Sequence, residues 1–364
     1  MKNSNKISIN LLIFVTIIHV LVYIGSIYVD IHDERGDTVR PTEIIQSGID
    51  MDFYQKESNR MFNNGDQISG LISPPIFPLM IHVFNYNNSG SSIPLSLFYL
   101  VISIAMSLIW MRYFSMNKIG NYGLITYIFI PMPMWYMLNI STDLLFAFLF
   151  SIFFISYFNT EKLKFNTSIW IAALILMVLT RANGFTIVAF VFLDYLFIKN
   201  NMPKASLAIL VSLCLSIFIY YDLYDHFLQF IRSSLDLGYY GIPYNQYISG
   251  LNIFTLETAD KVISWFLLVI AKILYYLGVR PSYGDTALSL VIIKSIFGLF
   301  FLIGLFGMFY YKAYRVLLLL LIFSLPVLMG ASQDRYNLPI QPLLFYYGWI
   351  LLNRCKDADK RLRY

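Results

Sequence analysis

Five charged residues and two tyrosines stand where side chains of their type can do chemistry. Asp50 and Asp52 form a D-x-D pair with Tyr54 close behind. A carboxylate can take the proton of an attacking hydroxyl, and two carboxylates at this spacing can instead hold a divalent ion. No resident cofactor is expected, and metal on this pair is the lesser alternative. Asp143 follows Ser141 and Thr142 at the head of an apolar run. An ionisable group at such a border marks either a functional position or a helix N-cap, and all three residues are good caps. Arg181, in Leu179-Thr180-Arg181-Ala-Asn183-Gly184, and Arg335, next to Tyr336, are embedded between apolar runs. A guanidinium there needs an anion. Its planar fork suits a phosphate, and an ion pair with Asp143 or Asp334 is the structural rival. His82 and His226 are weaker candidates, since a lone histidine is more often structural. Asp194, Lys272 and Lys294 interrupt apolar runs as the residues of a transport path would, or as side chains that snorkel. The chain has no Walker sequence, no G-x-G-x-x-G and no His-rich spacing, so ATP-driven and dinucleotide chemistry have no footing.

The elements that must position these residues follow from composition. Of 364 residues, 58% are hydrophobic and 13% charged, against about 25% charged in a soluble domain. An all-α polytopic membrane protein is the expected fold class, one membrane domain over residues 1–364. Eleven apolar runs lie between residues 7 and 352, each free or nearly free of charge. Basic residues cluster at Lys2/Lys6, Arg112/Lys118, Lys162/Lys164, Lys199/Lys204, Lys312/Arg315 and from Arg354 onward. Positive charge collects on the cytoplasmic side, which puts both termini inside, in the cell membrane. Two termini on one side need an even number of crossings, so ten to twelve spans are expected, with the ambiguity lying between residues 222 and 330.

Residues 7–29 are too long for the apolar core of a cleavable signal and read as the first span. Residues 30–92 and 222–260 then face outward. Between Asp30 and Asp66 nine acidic residues stand against four basic ones, and Phe53, Tyr54, Met61 and Phe62 recur at roughly helical spacing, which predicts an interfacial amphipathic helix. Cys214 and Cys355 are far apart and indicate neither a disulfide framework nor a metal site. The net charge of +5, 26 basic less 21 acidic, is spread in short clusters, so no nucleic-acid partner is expected.

The order of short motifs carries a resemblance. Asp50-Met-Asp52-Phe-Tyr54 with Ser58 beyond it, then Ser73-Pro74-Pro75-Ile-Phe77-Pro78, Ser141-Thr142-Asp143-Leu-Leu-Phe, the Arg181 turn, and Asp334-Arg335-Tyr336-Asn-Leu-Pro339-Ile-Gln-Pro342 all fall on the expected outer side. In that order they resemble the GT-C glycosyltransferases, the superfamily of the protein O-mannosyltransferases and lipid A aminoarabinose transferases. The resemblance implies a GT-C-like bundle with a long first extracytoplasmic loop carrying interfacial helices. It implies transfer, with inversion, of a sugar from a polyprenyl-phosphate donor to a glycan, lipid or protein acceptor in contact with membrane lipids. Asp50 would be the general base with Asp52 its competitor, Arg181 and Arg335 would take the lipid phosphate, and Tyr54, Asp143 and Tyr336 would line the substrate site. The family often works without a metal. A transporter or flippase of a lipid-linked substrate, and a polysaccharide polymerase or ligase using pyrophosphate-linked glycans, are the competing classes.

Overall fold

The computed structural model describes residues 9–31, 49–62, 74–84, 93–116, 137, 141–158, 166–181, 183–199, 270, 273–274, 276–277, 288–329 and 337–362. Every element among them is helical: α1 Ile9–Ile31, α2 Ile49–Phe62, α3 Ile76–Val83, α4 Ile93–Met116, α5 Thr142–Phe158, α6 Asn166–Thr180, α7 Gly184–Leu193, a π-helical turn Asp194–Ile198, α8 Leu288–Tyr310, α9 Tyr314–Met329 and α10 Gln341–Leu362. One stretch, Ile93–Ser115 in α4, is both long and apolar enough to cross a membrane, with 23 residues and a mean hydropathy of 2.1. At about 1.5 Å per residue it covers the hydrocarbon thickness of a bilayer. Ile9–Gly25, Thr142–Phe158, Thr167–Thr180, Gly184–Ile198, Ser295–Tyr310 and Tyr314–Leu325 are shorter apolar stretches. The chain divides into two compact units, Met1–Gly184 and Phe185–Tyr364.

In the first unit, α1 and α4 pack antiparallel. Tyr23 meets Ser96 at 2.6 Å, His19 meets Ser107 at 3.4 Å, and Leu11 shares a core with Met111. The Ser96 hydroxyl already donates to the Ile93 carbonyl, so Tyr23 is the donor of the pair. His19 Nδ1 lies 2.7 Å from the Val15 carbonyl, an oxygen that only accepts, which puts the ring proton on Nδ1 and leaves Nε2 to accept from Ser107. Away from α4, α1 exposes Ile9, Leu12, Ile13, Ile17, Leu21 and Ile24.

α4 and α5 run parallel. The Tyr99 hydroxyl donates to the Ser141 carbonyl near the start of both, and Trp110 Nε1 donates to Ser151 Oγ at 2.8 Å further along both. α6 returns antiparallel to α5, with Trp170 edge-on to Phe153 and Tyr157. α2 packs on α3, and α3 also touches α6. The expected helix in the first loop is present, but its faces differ from the apolar pattern: α2 buries Glu57 and Ser58 and leaves Phe62 exposed.

In the second unit, α8 and α10 run parallel at close quarters. A Cβ on Gly304 would run into the Leu344 carbonyl, one on Gly307 would come 2.5 Å from the Tyr347 carbonyl, and one on Gly348 would come 3.2 Å from the Gly304 nitrogen. Helix backbones approach this closely only through small residues, the device by which helices associate where no hydrophobic drive acts between them. Phe345 fills the flanking space against Phe297, Phe300 and Phe301. The turn from α8 to α9 closes with Lys312 at φ 54 and the Ala313 N–H donating to the Met308 carbonyl at 2.9 Å.

Candidate functional site

Sequence dictates the local geometry around Asp143. Ser141 stands just ahead of α5, and its Oγ accepts from the Asp143 N–H at 3.3 Å. The cap is therefore Ser141, and the Asp143 carboxylate is free of that duty. Asp143 is only 4% exposed and sits in the first turn, where the helix dipole favours a negative charge. Its carboxylate forms an ion pair with the Arg181 guanidinium, and its Oδ2 accepts from the Ser141 hydroxyl at 3.3 Å.

Arg181 is carried by the turn that ends α6. Its N–H still donates to the Met177 carbonyl at 3.0 Å, as if the helix continued, while its carbonyl accepts from the Gly184 N–H at 2.9 Å and opens α7. The turn needs glycine at 184, because a Cβ there would lie 2.5 Å from the Val178 nitrogen. The Leu179–Gly184 motif is thus a tight helix-to-helix reversal that holds Arg181 at the mouth of α5.

One phenol joins this pair. Tyr99, fully buried on α4, donates to the carbonyl of the capping Ser141. Tyr54 of α2 packs edge-on against the buried Phe77 ring at 4.9 Å. Tyr99, Ser141, Asp143 and Arg181 come from α4, the start of α5 and the end of α6 and gather at one end of the first unit, the end at which Tyr23 meets Ser96. A carboxylate and a guanidinium at a rim of helix ends can orient a hydroxyl and bind an anion.

Asp50 and Asp52 both belong to α2, and their side chains lie outside what is described. The helix itself bears on the pair. At about 100° per residue, Asp50 falls on the face of Tyr54, Glu57 and Ser58, and Asp52 on the opposite one. Arg335 and Tyr336 lie outside the described residues, as do Lys272 and His226. His82 is exposed and its ring stacks on Phe62 at 4.6 Å.

Asp194 has a structural account. Fully buried in the π-helical turn, it accepts from Arg315 Nε and Nη2, each at 2.8 Å, with Lys199 Nζ at 3.5 Å and over the Tyr195 ring. A residue clasped by two cations has the character of a fastener more than of a transport path.

Sequence reasoning missed Tyr99, Glu57 and His19. Tyr99 is one of 28 tyrosines, and nothing in its spacing sets it apart. Glu57 was legible as a carboxylate one helical face from Asp50, and His19 as an ionisable residue within an apolar run. Glu57 is buried and paired with Arg60 at 2.9 Å. No protein-family description, curated protein or solved structure matches the chain.

Proposed function

We propose that the chain is a multi-span membrane glycosyltransferase of the GT-C kind, which moves a sugar from a polyprenyl-phosphate donor to an acceptor on the extracytoplasmic face. The observation that carries this reading is the meeting of Asp143, Arg181 and Tyr99 around Ser141 at one end of the first unit. These residues are far apart in sequence, and charge patterning assigns them all to the outer face. The antiparallel α1 and α4 and the parallel α4 and α5 agree with an alternating path that crosses once between the latter two. On the other face, Lys199 and Arg315 belong to clusters read as cytoplasmic, and they share Asp194.

In the proposed reaction, Arg181 attracts the donor phosphate and stabilises it as it leaves the anomeric carbon, a part that the resemblance also gives to Arg335. Asp50 accepts the proton of the attacking acceptor hydroxyl. Tyr54 supplies a phenol hydroxyl to the sugar, Tyr99 holds the Ser141 cap through its carbonyl, and Asp143 holds the Arg181 fork in register. The exposed apolar face of α1 gives the lipid chain of the donor a hydrophobic approach. The test is transfer from a panel of polyprenyl-phosphate sugars by the full chain reconstituted in vesicles. Labelled product that appears with the parent protein and disappears with Asp50→Asn is the expected result. Absence of transfer from every monophosphate donor, with turnover of a pyrophosphate-linked glycan, would replace this reading by that of a polymerase or ligase.

A further inference from the structure

The second unit contains a buried polar cluster made from three places in the chain. Tyr276 is 2%, Ser324 3%, Asn337 0% and Gln341 3% exposed. Ser324 Oγ donates to the Tyr276 hydroxyl at 3.0 Å. Asn337 Nδ2 donates to the Tyr276 backbone carbonyl, and Gln341 Nε2 donates to Asn337 Oδ1. Gln341 Oε1 has no partner.

The orientation of both amides is forced. A backbone carbonyl only accepts, so Asn337 must turn its nitrogen toward Tyr276 and its oxygen toward Gln341. That oxygen likewise only accepts, so Gln341 must turn its nitrogen toward Asn337. Flipping either amide sets two acceptors face to face. The free end of the chain is therefore an oxygen, buried and unsatisfied, a state that costs more than the hydrogen bonds around it return. Leucine or methionine in its place would remove that oxygen and leave Asn337 Oδ1 without its donor instead. A buried amide oxygen held by a built relay calls for a donor that is absent from the free protein.

The chemistry of the cluster narrows the donor. Its described members are amides and hydroxyls with no carboxylate among them, a lining that suits a neutral O–H more than an ammonium. Gln341 also opens α10, five residues after Tyr336 in the motif that resembles the outer-face signature of a sugar transferase. We infer that Gln341, oriented by Asn337 and Tyr276, is a carbohydrate-binding residue whose Oε1 accepts from a hydroxyl of a sugar. This deepens the glycosyltransferase reading and rests on it for the class of ligand.

The experiment uses the full chain in detergent micelles, with free glucose, galactose, mannose and N-acetylglucosamine as probes in saturation-transfer difference NMR. Polyprenyl phosphate without a sugar is measured separately. The parent should bind at least one sugar, and Gln341→Met should weaken that binding about five- to tenfold, the loss of one neutral hydrogen bond. Gln341→Asn, which keeps the amide but withdraws it by one methylene, should show the same loss and serves if the Met variant does not express. Without sugar, the Met variant should melt within about 2 °C of the parent, because the unsatisfied Gln341 oxygen is exchanged for an Asn337 Oδ1 that has lost its donor.

Equal sugar affinity in parent and variants would make a trapped water the occupant and overturn the inference. So would a melting temperature lower by about 6 °C or more, or failure of the parent to bind any of the four sugars. Polyprenyl phosphate binding that survives such a failure would leave the glycosyltransferase reading standing without this subsite. Sugar binding at Gln341 with no affinity for polyprenyl phosphate would do the reverse.

Discussion

At the scale of single residues, the two ion pairs invite opposite expectations. Asp143 and Arg181 join residues that both have proposed roles, so stability and activity should separate. Asp143→Asn removes the anionic partner of a guanidinium that is one-fifth exposed, a loss of about 2–3 kcal/mol after allowance for its partial hydration. The charge-reversed pair, Asp143→Arg with Arg181→Asp, should recover most of the melting temperature in detergent while transfer stays absent, because the cation then stands on the wrong helix for the phosphate. Recovery of transfer together with stability would reduce the pair to a brace. Asp194 and Arg315 should instead differ by partner. Arg315→Ala takes the bidentate partner from a fully buried carboxylate and leaves Lys199 at 3.5 Å beside it, which should cost about 3–5 kcal/mol. Asp194→Ala frees an arginine that is 36% exposed, can reach water, and should cost about half as much. Thermal unfolding of the two variants gives the comparison, and equal losses would mean that the π-helical turn, not the charge, sets the stability there. Asp50→Asn should abolish transfer with little change in melting, while Asp52→Asn, on the other side of α2, stays within about threefold of the parent because it loses no proton acceptor at the site. The reverse ranking in a transfer assay would exchange their roles.

At the scale of elements, the existence of helices was legible and their partners were not. Apolar runs and basic punctuation marked the spans, yet with 58% of residues hydrophobic most helices are apolar on every side, so periodicity singles out no contact face. α2 makes the point from the other direction. Phe53, Tyr54, Met61 and Phe62 suggested its apolar face, and the fold buries Glu57 and Ser58 and exposes Phe62. The Arg181 turn was legible because glycine and a charge broke an apolar pair, whereas the Ser141 cap was one of three equal candidates. The α8–α10 contact was legible only as three glycines. Gly304→Ala should disrupt it most, because its Cβ meets a carbonyl of the facing backbone. Gly307→Ala should cost about 1–3 kcal/mol, and Gly348→Ala least, its neighbours at 3.2 Å including the movable Phe300 ring. Yields of folded protein by size-exclusion chromatography in detergent should follow that order, and a flat response would mean that α8 and α10 are held by the phenylalanines around Phe345.

At the scale of the whole molecule, charge sidedness and helix pairing bear on one quantity, the face on which each loop emerges. Residues 30–92 carry Asp50, and the proposed chemistry requires them outside the cytoplasm. Basic residues Lys2/Lys6 and Arg112/Lys118 bracket that stretch, and cytoplasmic charge of this kind orients the spans beside it. The antiparallel pairing of α1 and α4 is what an out-and-back path requires, and Asp143 meets Arg181 at the end where Tyr23 meets Ser96. In a chain with Cys214 and Cys355 replaced by serine, a cysteine at Asp37 should react with a membrane-impermeant maleimide in intact cells. A cysteine at Lys199 should react only after permeabilisation, because Lys199 shares Asp194 with the α9 residue Arg315 in a cluster read as cytoplasmic. Labelling of both positions from outside would break the alternation. Labelling at Lys199 alone would invert the molecule and turn the Asp143–Arg181 end toward the cytoplasm, where the acceptor would have to be a cytoplasmic one and the extracytoplasmic transferase reading would fail.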